Sequence, residues 1–186
     1  SKLSSSFGVG QVLRNSRLEQ MPTKTSLNNK SSDIAGFINF NYDFPRQEND
    51  NNLSFDYNFN LSNDLQRLNR NNVGINWNYN KFSSSFVYDE KNDHVGDQRT
   101  AYINVKKIYN NNYFFKYQGK KNLLSDTSEY HKFSLNFEND CITTSIAFSK
   151  SFYQDEDITS TKNLIFSIIL RPFGDGIAPD LTSFIN

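Results

Sequence analysis

Cysteine is almost absent from this chain: Cys141 stands alone, so no disulfide can close within it. No stretch approaches the about 18 consecutive apolar residues of a membrane-spanning helix. Only 36% of the residues are hydrophobic, and the mean hydropathy is −0.69. Net charge is also lacking. The 20 basic residues balance 20 acidic ones, which leaves no basic field for nucleic acid and no acidic tail. The two histidines, His94 and His131, have no Cys or His neighbour at ligand spacing, so no metal site is expected. G-x-S-x-G, H-E-x-x-H and P-loop patterns are all missing, and neither a catalytic residue nor a cofactor is expected. The opening Ser-Lys-Leu-Ser-Ser-Ser has no initiator Met and no apolar signal core, and the chain is expected to begin within a longer protein.

Aromatic residues, by contrast, make up 15% of the chain, which argues against a disordered polar polymer. A sequence that is polar on average yet rich in Phe and Tyr suggests alternation rather than a solid core. The stretch Asp140–Gly174 shows the alternation well. Ile142, Thr144, Ile146 and Phe148 interleave with Thr143, Ser145, Ala147 and Ser149. After an acidic loop, Leu164, Phe166, Ile168 and Leu170 interleave with Asn163, Ile165, Ser167 and Arg171. A two-residue period of this kind marks a strand between two different media.

Upstream the same pattern recurs. Leu53–Leu61 is its clearest case, with Leu53, Phe55, Tyr57, Phe59 and Leu61 opposed to Ser54, Asp56, Asn58 and Asn60. A helix, with a period of about 3.6 residues, would scatter both sets around its axis. Further strands are predicted at Phe7–Arg14, Ile34–Tyr42, Val73–Tyr79, Phe82–Tyr88, Thr100–Tyr109, Tyr113–Lys120 and His131–Phe137, with the last at Asn163–Phe173. The sum is about ten strands of roughly ten residues, the length that crosses a membrane with tilt. Connections alternate between mostly short (Phe44–Asn52, Asn80-Lys81, Asn110–Asn112, Glu138–Asp140) and longer (Asn15–Asp33, Ser62–Asn69, Asp89–Arg99, Leu123–Glu129, Gln154–Lys162). Short turns on one rim and long loops on the other suit an outer-membrane barrel. The expected fold class is therefore all-β: an antiparallel transmembrane β-barrel segment, an open curved slice of a larger outer-membrane barrel.

The stretch from Asp140-Cys141, through Ser151-Phe152-Tyr153-Gln154-Asp155-Glu156-Asp157-Ile158, to Leu170-Arg171-Pro172-Phe173-Gly174 resembles the end of the LptD family. These are the LPS-assembly proteins, or OstA-type organic solvent tolerance proteins, of the Gram-negative outer membrane. Val9-Gly10-Gln11 and Ser26-Leu27-Asn28-Asn29-Lys30-Ser31-Ser32-Asp33 are similar to that family's mid-barrel pattern. The resemblance implies that residues 1–186 are the C-terminal part of a large barrel lacking its N-terminal jellyroll and early strands. It also implies the partners: an LptE-like lipoprotein plug, lipopolysaccharide, periplasmic LPS bridge proteins reached through the N-terminal domain, the barrel-assembly machinery and outer-membrane lipid. The implied function is insertion of lipopolysaccharide into the outer leaflet through a barrel lumen and a lateral gate.

The resemblance also assigns residues. Asn163, Ile165, Ser167, Ile169, Arg171 and Pro172 would form the lateral-gate strand, where Pro172 removes a backbone donor; a Pro at a strand's boundary is the plainer account. Cys141 would join an interdomain disulfide in the oxidising periplasm, or is simply a small buried or lipid-facing residue. Asp56, Asn58, Asn60, Asn76, Asn78, Lys132 and Asn136 would face the lumen, as contacts for the plug and the sugar of LPS or as a water-compatible wall without a ligand. Tyr42, Trp77, Tyr79 and Tyr88 suit an interfacial aromatic girdle. Two alternatives stand beside this reading. One is a general outer-membrane porin or channel without an LPS role; the other is a barrel lipase or protease, for which no Ser–His constellation is evident.

Overall fold

The computed structural model describes residues 2–21, 26–45, 51–92, 95, 97–152 and 161–170. They form one antiparallel sheet of ten strands, each hydrogen-bonded to its sequence neighbours in the order β1 to β10. The strands are β1 (Lys2–Gly10), β2 (Ile34–Asp43), β3 (Asn52–Leu61), β4 (Leu68–Tyr79), β5 (Phe82–Lys91), β6 (Gln98–Ile108), β7 (Tyr113–Asn122), β8 (Thr127–Glu138), β9 (Ile142–Ser151) and β10 (Lys162–Leu170). Each outermost strand pairs on one side only, β1 with β2 and β10 with β9, so the sheet is open.

Directly opposed residues share a face, and the register therefore sorts every side chain. Leu53 and Phe55 of β3 stand with Tyr42 and Phe40 of β2 and with Trp77 and Ile75 of β4. The same face continues through Phe86, Ile103 and Tyr117, then Phe133 and Leu135, Ile146 and Phe148, and Leu164 and Phe166. None of the described residues packs on it. No hydrophobic side chain is buried among the described residues, and the large apolar groups of this face stay open, Leu135 at 55% and Ile146 at 49%. The other face carries Asn, Ser, Asp and Lys and is the more shielded one, with Asn60 and Thr100 buried. A sheet bent toward its polar side crowds those groups and spreads the apolar ones.

Rows of opposed residues do not stay level with the apolar band. The row through Phe40, Phe55, Ile75, Phe86 and Ile103 ends in His131, Lys150 and Lys162. Such a stagger is what tilted strands produce when a sheet curls toward a barrel. From Leu53 to Leu61 the outward face of β3 runs roughly 27 Å, or roughly 20 Å in height at a tilt of about 40°.

Several boundaries differ from the sequence reading. The first strand is Lys2–Gly10 rather than Phe7–Arg14, because Leu3, Phe7 and Val9 register with Tyr42, Ile38 and Gly36. Beyond Gly10 the chain folds onto its own loop: Ser32 N donates to Val12 O, Leu13 bridges Ser31, and Arg14 N donates to Lys30 O at 2.7 Å. β4 begins at Leu68, ahead of Val73, and shifts register beside Asn60 and Leu61. β5 and β6 run into the expected Asp89–Arg99 loop, since Glu90 opposes Arg99 and Lys91 opposes Gln98. β8 likewise starts at Thr127, before His131. The expected alternation of short and long connections holds only in part: residues 44–51 between β2 and β3 outnumber residues 62–67 between β3 and β4, and the β6–β7 and β7–β8 connections are equally short. The β4–β5 turn is Asn80-Lys81, where Asn80 takes a φ of 54°, a left-handed conformation that Asn tolerates.

Candidate functional site

With no hydrophobic core among the described residues, function is to be sought on the two faces and two rims of the sheet. On the apolar face, the rim of the short turns is aromatic. Tyr42 meets Phe44 edge-on at 5.0 Å, Phe44 meets Tyr79 at 6.1 Å, Trp77 meets Phe82 at 5.4 Å and Tyr113 meets Phe137 at 4.8 Å. Amphipathic rings in such a belt suit a membrane–water interface. The long-loop rim of the same face is apolar at Ile34, Leu61 and Leu68 on β2–β4 and charged or polar from β5 onward. There Arg99 Nη2 donates to Glu90 Oε1, and Tyr88 Oη donates to Glu90 Oε2 at 2.8 Å. Tyr88, expected in the girdle, thus lies at the opposite rim from Tyr42, Trp77 and Tyr79.

His131 also belongs to this rim. Its Nδ1 lies 2.9 Å from Tyr117 Oη, and its ring meets Phe152 edge-on at 5.5 Å. Lys150, directly opposite His131, stacks on Phe152 at 4.1 Å. These contacts give His131 a neighbourhood of rings and a cation, and no group of three His, Cys, Asp or Glu residues suited to a metal occurs among the described residues. His94 lies outside them.

All seven residues expected to line a lumen fall on the polar face. Asp56, Asn58 and Asn60 lie on β3, Asn76 and Asn78 on β4, and Lys132 and Asn136 on β8. Cross-strand hydrogen bonds hold the β3–β5 part of this wall. Asn78 Nδ2 donates to Asn52 Oδ1 at 2.8 Å, Asn76 Nδ2 to Ser54 Oγ at 3.1 Å and Asn72 Nδ2 to Asp89 Oδ1 at 3.2 Å. Asp89 also meets Lys91 at 3.3 Å and Arg70 at 3.7 Å. The Asn39 amide, turned to donate, reaches Asp56 Oδ1 at 3.1 Å. At the long-loop end, Asn69 is 1% exposed and donates to Asp33 Oδ2 at 2.9 Å, tying the first long loop to β4.

The β6–β8 part of the wall is basic. Lys106 opposes Lys116 directly, and Lys132 opposes Gln118 one step away on the same face. Sequence reasoning named Lys132 and overlooked the opposed pair. The signal was present: pairing across Asn110–Asn112 is enough to set Lys106 against Lys116.

Of the gate strand, Asn163, Ile165, Ser167 and Ile169 lie on β10 and point to the polar side, in register with Ser149, Ala147, Ser145 and Thr143. Arg171 and Pro172 lie outside the described residues. Cys141 is a free, exposed thiol in the β8–β9 turn, its amide donating to Asn139 Oδ1 at 3.0 Å. That turn belongs to the short-turn rim, the side on which β1 starts and β10 ends. No protein-family model matches the chain, and no curated protein matches it.

Proposed function

We propose that this chain is part of the wall of an outer-membrane β-barrel of the LptD kind, which passes lipopolysaccharide through a polar lumen and releases its acyl chains through a lateral seam at β10. The observation that carries the reading is an apolar face that runs across all ten strands, interrupted by Ser5, Ser84 and Lys107, on which none of the described residues packs. A soluble sheet would cover that face, whereas lipid needs it bare. The polar face then lines the lumen, the aromatic rim marks the periplasmic interface, and the long loops face outward. Two free sheet edges in hydrocarbon would leave backbone groups unsatisfied, so further strands complete the barrel, one of them across the seam from β10. The assignment to LPS rests on the resemblance of the Asp140–Gly174 stretch. Cys141, on the periplasmic rim, is available for an interdomain disulfide.

The test places a photo-cross-linking residue at Asn58, Lys132 or Ile165, and at Leu164 as the lipid-facing control, in the full-length protein in living cells. Adducts with lipopolysaccharide from the three polar-face positions are expected, and they should fade when lipopolysaccharide synthesis is stopped. A reductant-sensitive mobility shift lost in Cys141→Ser, with a small co-purifying lipoprotein, should accompany them. Steady ion conductance with no adducts and no lipoprotein would replace this reading with a porin.

A further inference from the structure

The polar face divides by charge. Asp43, Asp56 and Asp89 lie on β2, β3 and β5, where Asp89 is met by Arg70 and Lys91. On β6–β8 the described acids of that face lie only toward the rims: Glu129 is held by Lys120 at 2.8 Å, and Glu138 closes β8. Between them Lys106 and Lys116 stand directly opposite each other. Like charges so placed repel, and a sheet retaining such a pair without a carboxylate leaves room for an anion. Both ammonium groups are drawn to one ring: Lys106 Nζ lies 4.8 Å and Lys116 Nζ 5.4 Å from the centre of Phe114. The ring fixes two donors on one spot of the wall.

The surroundings of the pair are those of a sugar site. Gln118 Nε2 donates to Tyr102 Oη at 3.2 Å, and Asn136 Nδ2 donates to Ser134 Oγ at 3.0 Å, all on the same face. Amides and hydroxyls with free lone pairs and protons beside an aromatic ring match the hydroxyls and apolar flank of a saccharide. We infer that the β6–β8 wall is a binding site for a phosphorylated saccharide, with Lys106 and Lys116 holding the phosphate and Gln118, Tyr102 and Ser134 contacting the sugar. The inference rests on the barrel reading, because it needs this face to line an aqueous lumen, and it deepens that reading by naming the group the wall retains.

The experiment uses the full-length protein in native outer membranes and pyridoxal 5′-phosphate, an anionic aldehyde, as probe. Its imine with a lysine amine is trapped by borohydride and mapped by mass spectrometry. Lys106 and Lys116 should be labelled about tenfold more than Lys91 and Lys120, which share the face but are held by carboxylates. Glucose 1-phosphate should protect them and glucose should not. Lys106→Gln should cut labelling of Lys116 about tenfold, while the heat-modifiable migration of a folded barrel shows that the variant assembles. Labelling no greater than at Lys91, or protection no better than by inorganic phosphate alone, would overturn the site. A hydrophobic carbene dissolved in the membrane tests the foundation separately: labelled Phe133 and Ile146 with unprotected lysines would sink this site alone, and an unlabelled apolar face would sink the barrel reading itself.

Discussion

The two faces of this sheet are made of the same strands and carry opposite chemistry. Ser134 and Leu135 are sequence neighbours, as are Ser145 and Ile146, yet one of each pair joins a hydrogen-bonded polar wall and the other an open apolar surface. On the polar face, stability comes from paired side chains such as Asn78 with Asn52 and Asp89 with Lys91. On the apolar face there is no packing partner within the described residues, so its contribution depends on what lies outside the protein. A composition only 36% hydrophobic is thus no sign of a failed core. It is the average of one polar face and one apolar face.

The sharpest way to break the contrast is to put a charge on each face. Leu135→Lys places an ammonium in the outward band and should lower the stability of the protein folded in lipid vesicles by about 2–4 kcal/mol. Ser145→Lys, on the polar face of β9 opposite Asn136 and Ser167, should change it by less than about 1 kcal/mol, since no like charge opposes it there. Urea midpoints of the two variants read the difference directly, and equal losses would refute the assignment of faces.

Glycine positions give the next largest effect. On the outward face, the Phe59 ring lies across Gly36, where a Cβ would collide with it. Gly36→Val should therefore cost about 1–3 kcal/mol, as overpacking does. Gly10 has open space around its missing Cβ, and Gly10→Ala should be close to neutral in the same urea titration.

Leu53–Leu61 could be read correctly from sequence because its five apolar and four polar residues alternate without a break. β1 was misplaced because Ser4, Ser5 and Ser6 blur its alternation and two glycines follow; only its register with β2 reveals Leu3, Phe7 and Val9 as one face. The charged strand ends were lost for a related reason. Glu90, Lys91 and Arg99 look like loop residues until they are seen to pair across β5 and β6. The wall itself was legible as a polar phase in strands such as Leu53–Leu61 and Val73–Tyr79. Its basic patch was not, since one strand's periodicity says nothing of what stands on the next.

A smaller effect should separate the rim of the apolar face from the polar wall. Arg99→Ala removes the guanidinium on Glu90, leaving that carboxylate with Tyr88, and should lower stability by about 1 kcal/mol. Arg70→Ala removes one of two cations from Asp89; Lys91 and Asn72 remain, and the loss should be about half as large or less. Reversing that order in vesicle unfolding would show that the Glu90 cluster is freely solvated rather than set at a membrane boundary.

The smallest effects belong to the long-loop rim, where two carboxylates are held below their usual range by different means. Asp126 is lowered chiefly by the hydrogen bond and charge of Lys121, 2.6 Å away. Asp64 is lowered chiefly by the Ser62 hydroxyl and then by the Gln66 amide, donors without charge. Each group, having a depressed folded pKa, adds stability that is present above the unfolded value of about 3.9 and is lost as pH falls through the lower folded value. Salt distinguishes them. Raising ionic strength should lift the Asp126 pKa toward its ordinary value, as should Lys121→Ala, because a screened or absent ammonium no longer favours the carboxylate. Asp64, for which the charge of Arg67 is the smallest cause, should move less with salt, hold still under Lys121→Ala and respond chiefly to Ser62→Ala. Carboxyl-carbon NMR titration follows both groups in one sample. Equal movement with salt would mean that charge, and not hydrogen-bond geometry, sets both loops above the wall.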